Sequence, residues 1–275
     1  MTFKVDGPVV LAGAGKMGGA LLEGLLARGL APADVIVQDP HLPPDVAALL
    51  AKRGVKAESH IEALRSPPSV ILVAVKPQVM DQVFPPLSRL AGPNTLVLSI
   101  AAGRTIAGFE AHLAPGSAVV RAMPNTPAAI GRGITVCAAN ASVTEEQKDL
   151  CNSLLAAVGD VAWVDNEAMM DAVTAVSGSG PAYVFLLAEC LASAGQAAGL
   201  DEATAKRLAN ATVAGAGELL HRSSLDAAVL RENVTSPGGT TAAALSVLMA
   251  AENGLEPLLA RAVAAAVARS RELAR

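Results

Sequence analysis

The chain has 275 residues, of which 52% are hydrophobic, 17% charged and only 2% aromatic, and its formal net charge is −4. This length permits one large or two medium domains with a sizeable core. Because aromatic residues are scarce, the core must consist mainly of Ala, Leu and Val, and the apolar excess also favours subunit interfaces. The acidic balance and the lack of a basic tract argue against a nucleic-acid partner.

The sequence also argues against a secreted or membrane protein. The N-terminus runs into strand-like sequence without a basic and apolar leader. The longest apolar stretches are interrupted by Glu189, Arg261 and Arg269 before they reach the length of a membrane span. The three cysteines are far apart and show neither metal-ligand spacing nor a disulfide pattern. We therefore expect a cytoplasmic protein with no membrane partner and no metal site.

The N-terminal half begins with the pattern of a dinucleotide-binding turn. A short apolar run predicts a buried strand, G-x-G-x-x-G follows at 13–18, and apolar residues at helical spacing come next. In this setting Gly13 permits a tight turn, Gly15 lets the backbone approach a pyrophosphate, and Gly18 lets the helix pack closely on the strand. A plain glycine-rich turn between a strand and a helix is the alternative interpretation.

The second predicted strand, Val35–Gln38, ends at an acidic residue, Asp39. An aspartate at this place would bond the ribose hydroxyls of the adenosine half and repel a 2′-phosphate, which slightly favours NADH over NADPH. The alternative is a turn aspartate before Pro40, and use of NADPH is compatible with both interpretations.

Further apolar runs complete a predicted sheet of about eight strands. A short strand is predicted to start at Val55, and apolar runs follow at 69–75, 95–100, 118–121, 134–137 and 161–164. Ligands of doubly wound sheets lie beyond the carboxyl ends of the strands, so Lys76 is placed to face the cofactor or the substrate. A solvated lysine at a strand end is the alternative. Helices are predicted at 46–53 and from Thr144, which has a capping-box pattern.

Beyond residue 167 the strand pattern stops and the chain is predicted to be helical. The predicted helices are at about 181–199, 203–222, 225–232, 241–253 and 256–274. The fold class is therefore α/β, with a Rossmann-type dinucleotide-binding domain at 1–165 and an all-helical domain for substrate binding and dimerisation at 166–275. The helix from Pro181 is apolar nearly all round, as expected for a helix covered by neighbours or by a partner subunit.

Two segments rich in small residues, 175–180 and 234–241, are predicted to be loops that run into helices. Pro181 suits the first turn of the first helix, and Thr240 or Thr241 could cap the second. Helix starts offer unbonded N–H groups and a positive dipole end, so these two could bind a small carboxylate without a cationic side chain. The hydroxyl groups beside them belong to Ser177, Ser179, Ser236 and Thr241. Two ordinary helix-entry turns are the alternative.

Five motifs, in order along essentially the whole chain, resemble those of the pyrroline-5-carboxylate reductases. They are the glycine fingerprint at 13–18, V-K-P-Q at 75–78, M-P-N-T-P at 123–127, S-G-S-G-P-A-Y at 177–183 and S-P-G-G-T-T at 236–241. The last two are specific to that family and the first is not. The resemblance implies reduction of the imine of 1-pyrroline-5-carboxylate to L-proline, the last step of proline biosynthesis, with NADPH or NADH.

The resemblance also implies roles for individual residues. The cofactor would be held by Gly13, Ala14, Gly15, Lys16, Met17, Gly18, Gln38, Asp39, His60, Ala74, Val75, Lys76, Pro77, Ala102 and Asn233. The substrate would be surrounded by Glu167, Ser177, Gly178, Ser179, Gly180, Asn233, Ser236, Gly238, Gly239, Thr240 and Thr241. Thr241 would contact the ring nitrogen, and Lys76 is the second candidate for a catalytic role. The family commonly builds its site from two chains, as a homodimer that assembles into larger homo-oligomers.

Two other functions remain as alternatives. A dehydrogenase of the β-hydroxyacid type needs a catalytic lysine on a helix of the second domain, where Lys206 is the one candidate and lacks a G-x-x-x-K setting. A cofactor-binding regulator without turnover is the other alternative, and the intact motifs at 177–183 and 236–241 argue against it.

Overall fold

The computed structural model describes Val5 and residues 7–273. The chain divides into two compact units. The sheet unit comprises the chain up to Gly178 together with the residues from Val267 onward, and the helical unit comprises Ser179–Ala266. The sheet ends at Trp163, and the described chain beyond it contains helices and turns. The domain boundary near residue 165 stays a prediction.

Eight strands and eleven α-helices are present in the described part of the chain. The strands are β1 (Val9–Ala12), β2 (Val35–Gln38), β3 (Lys56–Glu58), β4 (Val70–Val73), β5 (Leu96–Ser99), β6 (Ala118–Met123), β7 (Gly133–Ala139) and β8 (Gly159–Trp163). The helices are α1 (Lys16–Ala27), α2 (Pro44–Arg53), α3 (Met80–Ser88), α4 (Ile106–Glu110), α5 (Glu145–Leu155), α6 (Met170–Val173), α7 (Gly180–Ala197), α8 (Glu202–Arg222), α9 (Ala227–Asn233), α10 (Thr240–Leu248) and α11 (Leu255–Leu273).

The strands form one sheet in the order β3-β2-β1-β4-β5-β6-β7-β8. Neighbouring strands are parallel except β6 and β7, which are antiparallel. In the centre Val9 pairs with both Val35 and Val70. Strand order reverses at β1, where the chain crosses to the other side of the sheet, and ligands of such sheets lie beyond the carboxyl ends of the strands at this point. The predicted eight-stranded α/β sheet is confirmed.

Both faces of the sheet are covered, which explains why its central strands are continuous apolar runs. Successive side chains alternate between faces, so Val9 belongs to one buried cluster and Val10 to the other. The second cluster includes Phe84 and Phe109, whose rings meet edge to face with centroids 4.8 Å apart. The sheet unit therefore has a core of its own on each side.

The helical unit has almost no core of its own. Helices α7 and α8 pack against each other, and a Cβ on Gly195 would lie 3.4 Å from the Cβ of Ala205. Within 179–266, all of which the structure describes, the buried hydrophobic residues are Ala192, Ala205 and Ala209. Large apolar side chains on α7 are exposed instead: Val184, Phe185, Leu186, Leu187 and Leu191. Such a surface is what a subunit interface leaves uncovered in a single chain.

The segment 175–180 is largely helical, so its prediction as a loop was wrong. Residues Thr174–Gly178 form a π-helical turn, and after a bend α7 begins at Gly180. Proline at 181 has no N–H to donate to a preceding carbonyl, which favours an irregular turn before it. A Cβ on Gly178 would lie 2.6 Å from Met123 Cε, so glycine lets the flexible end of Met123 pass close to the helix.

The expectation about apolar stretches was also wrong for one helix. The helical stretch Glu167–Ala197 is long and apolar enough, by length and composition, to cross a membrane, and Glu189 does not prevent it. Few of its residues are buried in the chain. Because a helix that packs against another subunit has the same composition, this stretch alone is weak evidence for a membrane.

Candidate functional site

The glycine-rich turn joins β1 to α1 at the carboxyl edge of the sheet. Gly13 has a φ of +88°, and a Cβ on it would lie 2.8 Å from the carbonyl oxygen of Ala74. A Cβ on Gly18 would collide with the carbonyl oxygen of Gly13, whereas a Cβ on Gly15 would meet no atom within 4 Å. The turn is thus closely packed on its protein side and open at Gly15, as a pyrophosphate cradle must be.

The start of α1 adds backbone donors to this turn. Gly15 is its N-cap and provides no side-chain acceptor for the first N–H groups. Lys16, the first residue of the helix, is exposed beside them. An uncapped helix start with a neighbouring ammonium group suits a phosphate.

Asp39 ties the end of β2 to the glycine turn. Its Oδ2 accepts a hydrogen bond from the Ala14 N–H at 2.8 Å, and its Oδ1 accepts one from the His41 N–H at 2.8 Å. The second bond is that of a turn aspartate, so this interpretation is supported. Each carboxylate oxygen has a further lone pair for a ribose hydroxyl, and that contact stays a prediction.

The side chain of Gln38 holds the backbone next to His60. The Gln38 side chain is buried, and its Oε1 accepts from the Ile61 N–H at 3.0 Å. This bond fixes the segment on which His60 is exposed. The Gln38 amide therefore supports the rim of the predicted cofactor site from within the core.

The loop after β4 carries Lys76 at the same edge of the sheet. The Ala74 N–H donates to the Ala12 carbonyl at 2.7 Å, which continues the pairing of β1 with β4. Lys76 is exposed and is the N-cap of a short 3-10 turn, Pro77–Val79. Its predicted position beyond the carboxyl end of β4 is thus seen, and its catalytic role stays a prediction.

Arg104 fixes this loop, and the sequence gives no sign of its role. Its Nη2 donates to the Pro77 carbonyl at 2.8 Å, and its guanidinium forms two bonds with the Asp81 carboxylate at 2.7 and 3.0 Å. These hydrogen bonds hold the pKa of Asp81 below its ordinary value. Since Ala102 lies two residues before Arg104, the contact joins two loops that are predicted to line the path to the nicotinamide.

Glu167 takes part in a largely buried ion pair. Its Oε1 accepts from Arg121 Nη1 and from the Ile106 N–H, both at 2.9 Å. The side chain of Arg121 is 7% exposed and that of Glu167 is 26% exposed. The pair holds the first residue of the Glu167–Ala197 stretch against β6 and α4. Glu167 is thus partly committed to the protein, and its contact with substrate stays a prediction.

The 123–127 loop contacts the predicted substrate residues of the sheet unit. Asn125 Nδ2 donates to the Ser177 hydroxyl at 3.3 Å, and Asn125 Oδ1 accepts from the Ile134 N–H at 3.0 Å. Met123 packs against Gly178 as described above. Asn125 is absent from the predicted site, although the motif that contains it is part of the resemblance.

The start of α10 differs from the prediction that a threonine caps it. Its N-cap is Gly239, with no side-chain cap, and Thr240 and Thr241 are its first two residues. The preceding Gly238 has a φ of +70°, and the Gly239 N–H donates to the Ser236 carbonyl at 3.0 Å. A threonine within the first turn lies beyond the N-cap position from which a hydroxyl reaches the N2 or N3 N–H.

The start of α7 also lacks a side-chain cap, and its N-cap is Ser179. Because a π-helical turn leads into α7 and Pro181 has no N–H, the start of α7 offers few free donors. The start of α10 presents N–H groups without side-chain acceptors. This is the arrangement that a small carboxylate requires. The remaining predicted residues of this unit, Asn233 at the end of α9 and Ser236 in the following loop, are exposed.

Two other features do not fit a catalytic site. Lys206, on which a β-hydroxyacid-type enzyme would depend, forms an ion pair with Glu202 one turn earlier on the surface of α8. A cavity of about 630 Å³ is lined by Ser69 and Thr95, at the amino ends of β4 and β5. Because the glycine turn and Lys76 follow the carboxyl ends of their strands, this cavity lies at the opposite edge.

Comparisons with known proteins agree with this geometry. Residues 8–103 match a family model described as NADP oxidoreductase, coenzyme F420-dependent, and residues 167–273 match one described as pyrroline-5-carboxylate reductase dimerisation. Pyrroline-5-carboxylate reductase of Pseudomonas aeruginosa is 42% identical over 97% of this chain and 96% of its own, and that of Arabidopsis thaliana is 37% identical over 99% and 96%.

Solved structures give the same result. The pyrroline-5-carboxylate reductase of Coxiella burnetii is 36% identical, with a TM-score of 0.90 over 98% of this chain and 100% of its own. The pyrroline carboxylate reductase of Plasmodium falciparum, solved with NADP bound, is 27% identical, with a TM-score of 0.77 over 98% and 99%.

The sheet, its glycine turn and the matching family model define an NAD(P)H-dependent oxidoreductase with a helical C-terminal region. The chain belongs to the pyrroline-5-carboxylate reductase family. The dehydrogenase and regulator alternatives are not favoured, and the dimerisation model supports self-association of the helical region.

Proposed function

We propose that this chain catalyses the reduction of the imine of 1-pyrroline-5-carboxylate to L-proline at the expense of NADPH or NADH. The observation that carries the proposal is the family membership at 42% identity over nearly the whole chain. The uncapped start of α10, within one of the two family-specific motifs, agrees with it, since the substrate bears a carboxylate.

The glycine turn fits the proposed cofactor. The open space at Gly15 and the first N–H groups of α1 would take the pyrophosphate. Asp39, which is bonded to the Ala14 N–H of this turn, would contact the ribose. When bound, the dinucleotide supplies the hydride that reduces the C=N bond. Lys76, Pro77 and Ala102 would shape the path to the nicotinamide, with Arg104 holding the two loops together.

The remaining work of the chain is to hold and orient the substrate. A protonated imine is already electrophilic, so the protein need not supply a strong acid, and alignment alone can contribute several kcal/mol. Ser177, Ser179 and the helix N–H groups would bind the carboxylate. Thr241, the second residue of α10, would accept a hydrogen bond from the protonated ring nitrogen.

The proposal includes a homodimer that assembles into larger homo-oligomers in the cytoplasm. Its support is the exposed apolar surface of the helical unit and the dimerisation model that matches 167–273. Because the proposed substrate residues begin α7 and α10, subunit packing would also fix the geometry of the site. The free, buried Cys137 and Cys151 suit a reducing compartment.

The test is steady-state reduction of 1-pyrroline-5-carboxylate by the full chain, with NADPH and NADH measured in parallel. We expect turnover with L-proline as the product. Cofactor oxidation that does not depend on the imine, or the absence of oxidation with both cofactors, would contradict the proposal.

A further inference from the structure

Asn125 sits between a backbone donor and a hydroxyl group. On one side its Oδ1 accepts from the Ile134 N–H at 3.0 Å, and on the other its Nδ2 lies 3.3 Å from Ser177 Oγ. Both contacts lie within the sheet unit, and Asn125 and Ser177 are half-buried. The amide therefore links the start of β7 to the helical turn that carries a predicted substrate residue.

The backbone contact determines which way the Asn125 amide is oriented. The Ile134 N–H can only donate, so the oxygen of the amide must face it. The NH₂ group then faces Ser177, and this group can only donate. The Ser177 hydroxyl must consequently be the acceptor in that contact.

A hydroxyl that accepts from Asn125 retains its single proton for another partner. Serine and threonine within helices often donate that proton to a carbonyl one turn earlier, as Thr174 does to Met170 at 2.8 Å. The contact with Asn125 uses a lone pair of Ser177 Oγ and leaves its proton available. Ser177 also lies in the π-helical turn, a local widening that is frequent at functional sites.

We propose that Asn125 is a positioning residue that keeps the Ser177 hydroxyl as a hydrogen-bond donor toward the substrate carboxylate. This inference rests on the proposed function, which supplies the carboxylate. Asn125 acts through Ser177 and does not touch the substrate itself.

The experiment is a double-mutant cycle with Asn125→Asp, Ser177→Ala and the variant with both changes. Aspartate keeps an oxygen for the Ile134 N–H and replaces the NH₂ donor by an acceptor, which draws the Ser177 proton away from the substrate. We expect each single variant to raise the KM for 1-pyrroline-5-carboxylate about tenfold, with little change in kcat or in the Kd of NADPH.

The double variant shows whether Asn125 affects the KM through Ser177 or independently of it. If Asn125 acts through Ser177, the double variant has nearly the KM of Ser177→Ala alone. Multiplied effects of the two changes would overturn the proposal, because Asn125→Asp would then act on the carboxylate directly or through the loop. If Asn125→Asp does not fold, as judged by Trp163 fluorescence, Asn125→Ala replaces it in the same cycle.

A second measurement separates this inference from the proposed function. The affinity for L-proline, measured by calorimetry, should follow the same non-additive cycle. A wild-type chain that binds L-proline without turnover would contradict the proposed function. The role of Asn125 could then still be tested by the double-mutant cycle on L-proline affinity. A wild-type chain that shows neither turnover nor L-proline binding would overturn both the proposed function and the role of Asn125.

Discussion

The sheet unit and the helical unit of this chain differ in how far they bury their apolar side chains. The sheet unit covers both faces of β1, β4 and β5 and buries large side chains such as Phe84 and Phe109. The helical unit buries three alanines and exposes Phe185 and many leucines. With about 25 cal/mol gained per Å² of apolar surface removed from water, the second unit gains little from its own packing. It therefore depends on another surface, which we propose to be a second copy.

This difference separates the expected effects of substitutions. Changes in the sheet unit should alter its own stability or the cofactor, and changes on the helical surface should alter assembly and, through it, the substrate site. Trp163 is the single tryptophan and lies in the sheet unit, where its Nε1 donates to Asn152 Oδ1 at 2.8 Å. Its fluorescence therefore reports on the folding of the sheet unit and not on that of the helical unit.

The largest effect is expected from Phe185→Asp, which places a charge on the exposed apolar face of α7. Phe185 is 62% exposed in the single chain. Burial of an unpaired carboxylate at an interface is strongly unfavourable, so we expect dissociation and a loss of activity of about 100-fold or more. Light scattering and activity across a dilution series measure both, while the Trp163 transition should stay unchanged.

Ile130→Asp is the matched control. Ile130 is 78% exposed in the sheet unit, and we expect its replacement to leave assembly and activity nearly unchanged. A Phe185→Asp monomer with full activity at nanomolar concentration would contradict both self-association through α7 and a site that depends on it.

The next effect concerns the sheet unit alone. We expect Gly15→Val to weaken NADPH and NADH binding by about 100-fold or more, because its side chain would fill the space proposed for the pyrophosphate. The fold should tolerate it, since a Cβ there meets no atom within 4 Å. Fluorescence titration gives the Kd, and the Trp163 melting temperature reports the fold.

Gly18→Val sharpens this test, because its Cβ would collide with the Gly13 carbonyl. We expect that variant to lose stability as well as cofactor affinity. Retained cofactor affinity in Gly15→Val would show that the phosphates do not lie over this turn.

A smaller effect is expected at the start of α10. Thr241→Ala removes one neutral hydrogen bond in the proposed substrate site, which costs about 1 kcal/mol and should lower kcat about fivefold. Cofactor Kd and assembly should not change. Thr241→Ser keeps the hydroxyl and should restore kcat, whereas unchanged turnover in Thr241→Ala would remove Thr241 from the mechanism.

The smallest effect concerns the contact of Arg104 with Asp81. The hydrogen bond with Arg104 lowers the pKa of Asp81 below its ordinary value. The carboxylate therefore stabilises the fold at pH values above its ordinary pKa, and this contribution disappears as the pH falls through the lowered pKa. We expect Asp81→Asn to lower the melting temperature slightly at pH 7, and the difference from wild type to vanish once the pH has fallen through the lowered pKa of Asp81.

Asp149→Asn, at an exposed position of α5, is the control for a general loss of charge. A difference between Asp81→Asn and wild type that persists unchanged at low pH would mean that the carboxylate charge is not what joins the two loops.

Short patterns in the sequence were sufficient to predict most strands and helices of the fold. The apolar runs predict the buried strands, because strands buried on both faces need no polar alternation. Strand β3, Lys56–Glu58, is mostly exposed, and only its start near Val55 was predicted. The Thr144 capping box is present, with Thr144 and Gln147 exchanging hydrogen bonds. The glycine fingerprint and the two family-specific motifs were sufficient for the family. Each of these signals is contained in a few consecutive residues.

Local pattern failed where packing overrides backbone preference. Helix α3 contains Pro85 and Pro86 and was not predicted, yet the burial of Met80, Phe84 and Leu87 maintains it. The glycines and serines before Pro181 predict a loop, whereas the chain is helical there. Intrinsic propensities amount to at most about 1 kcal/mol per residue for glycine and serine, which buried apolar contacts can exceed.

Only the tertiary structure decided which side chains meet. Asn125 and Ser177 are 52 residues apart, Arg121 and Glu167 are 46 apart, and Arg104 and Asp81 are 23 apart. Their contacts follow from the order of strands in the sheet, which brings distant loops to one edge. A hydrogen bond depends on the position and angle of two groups to within tenths of an ångström, and no pattern along the chain specifies that.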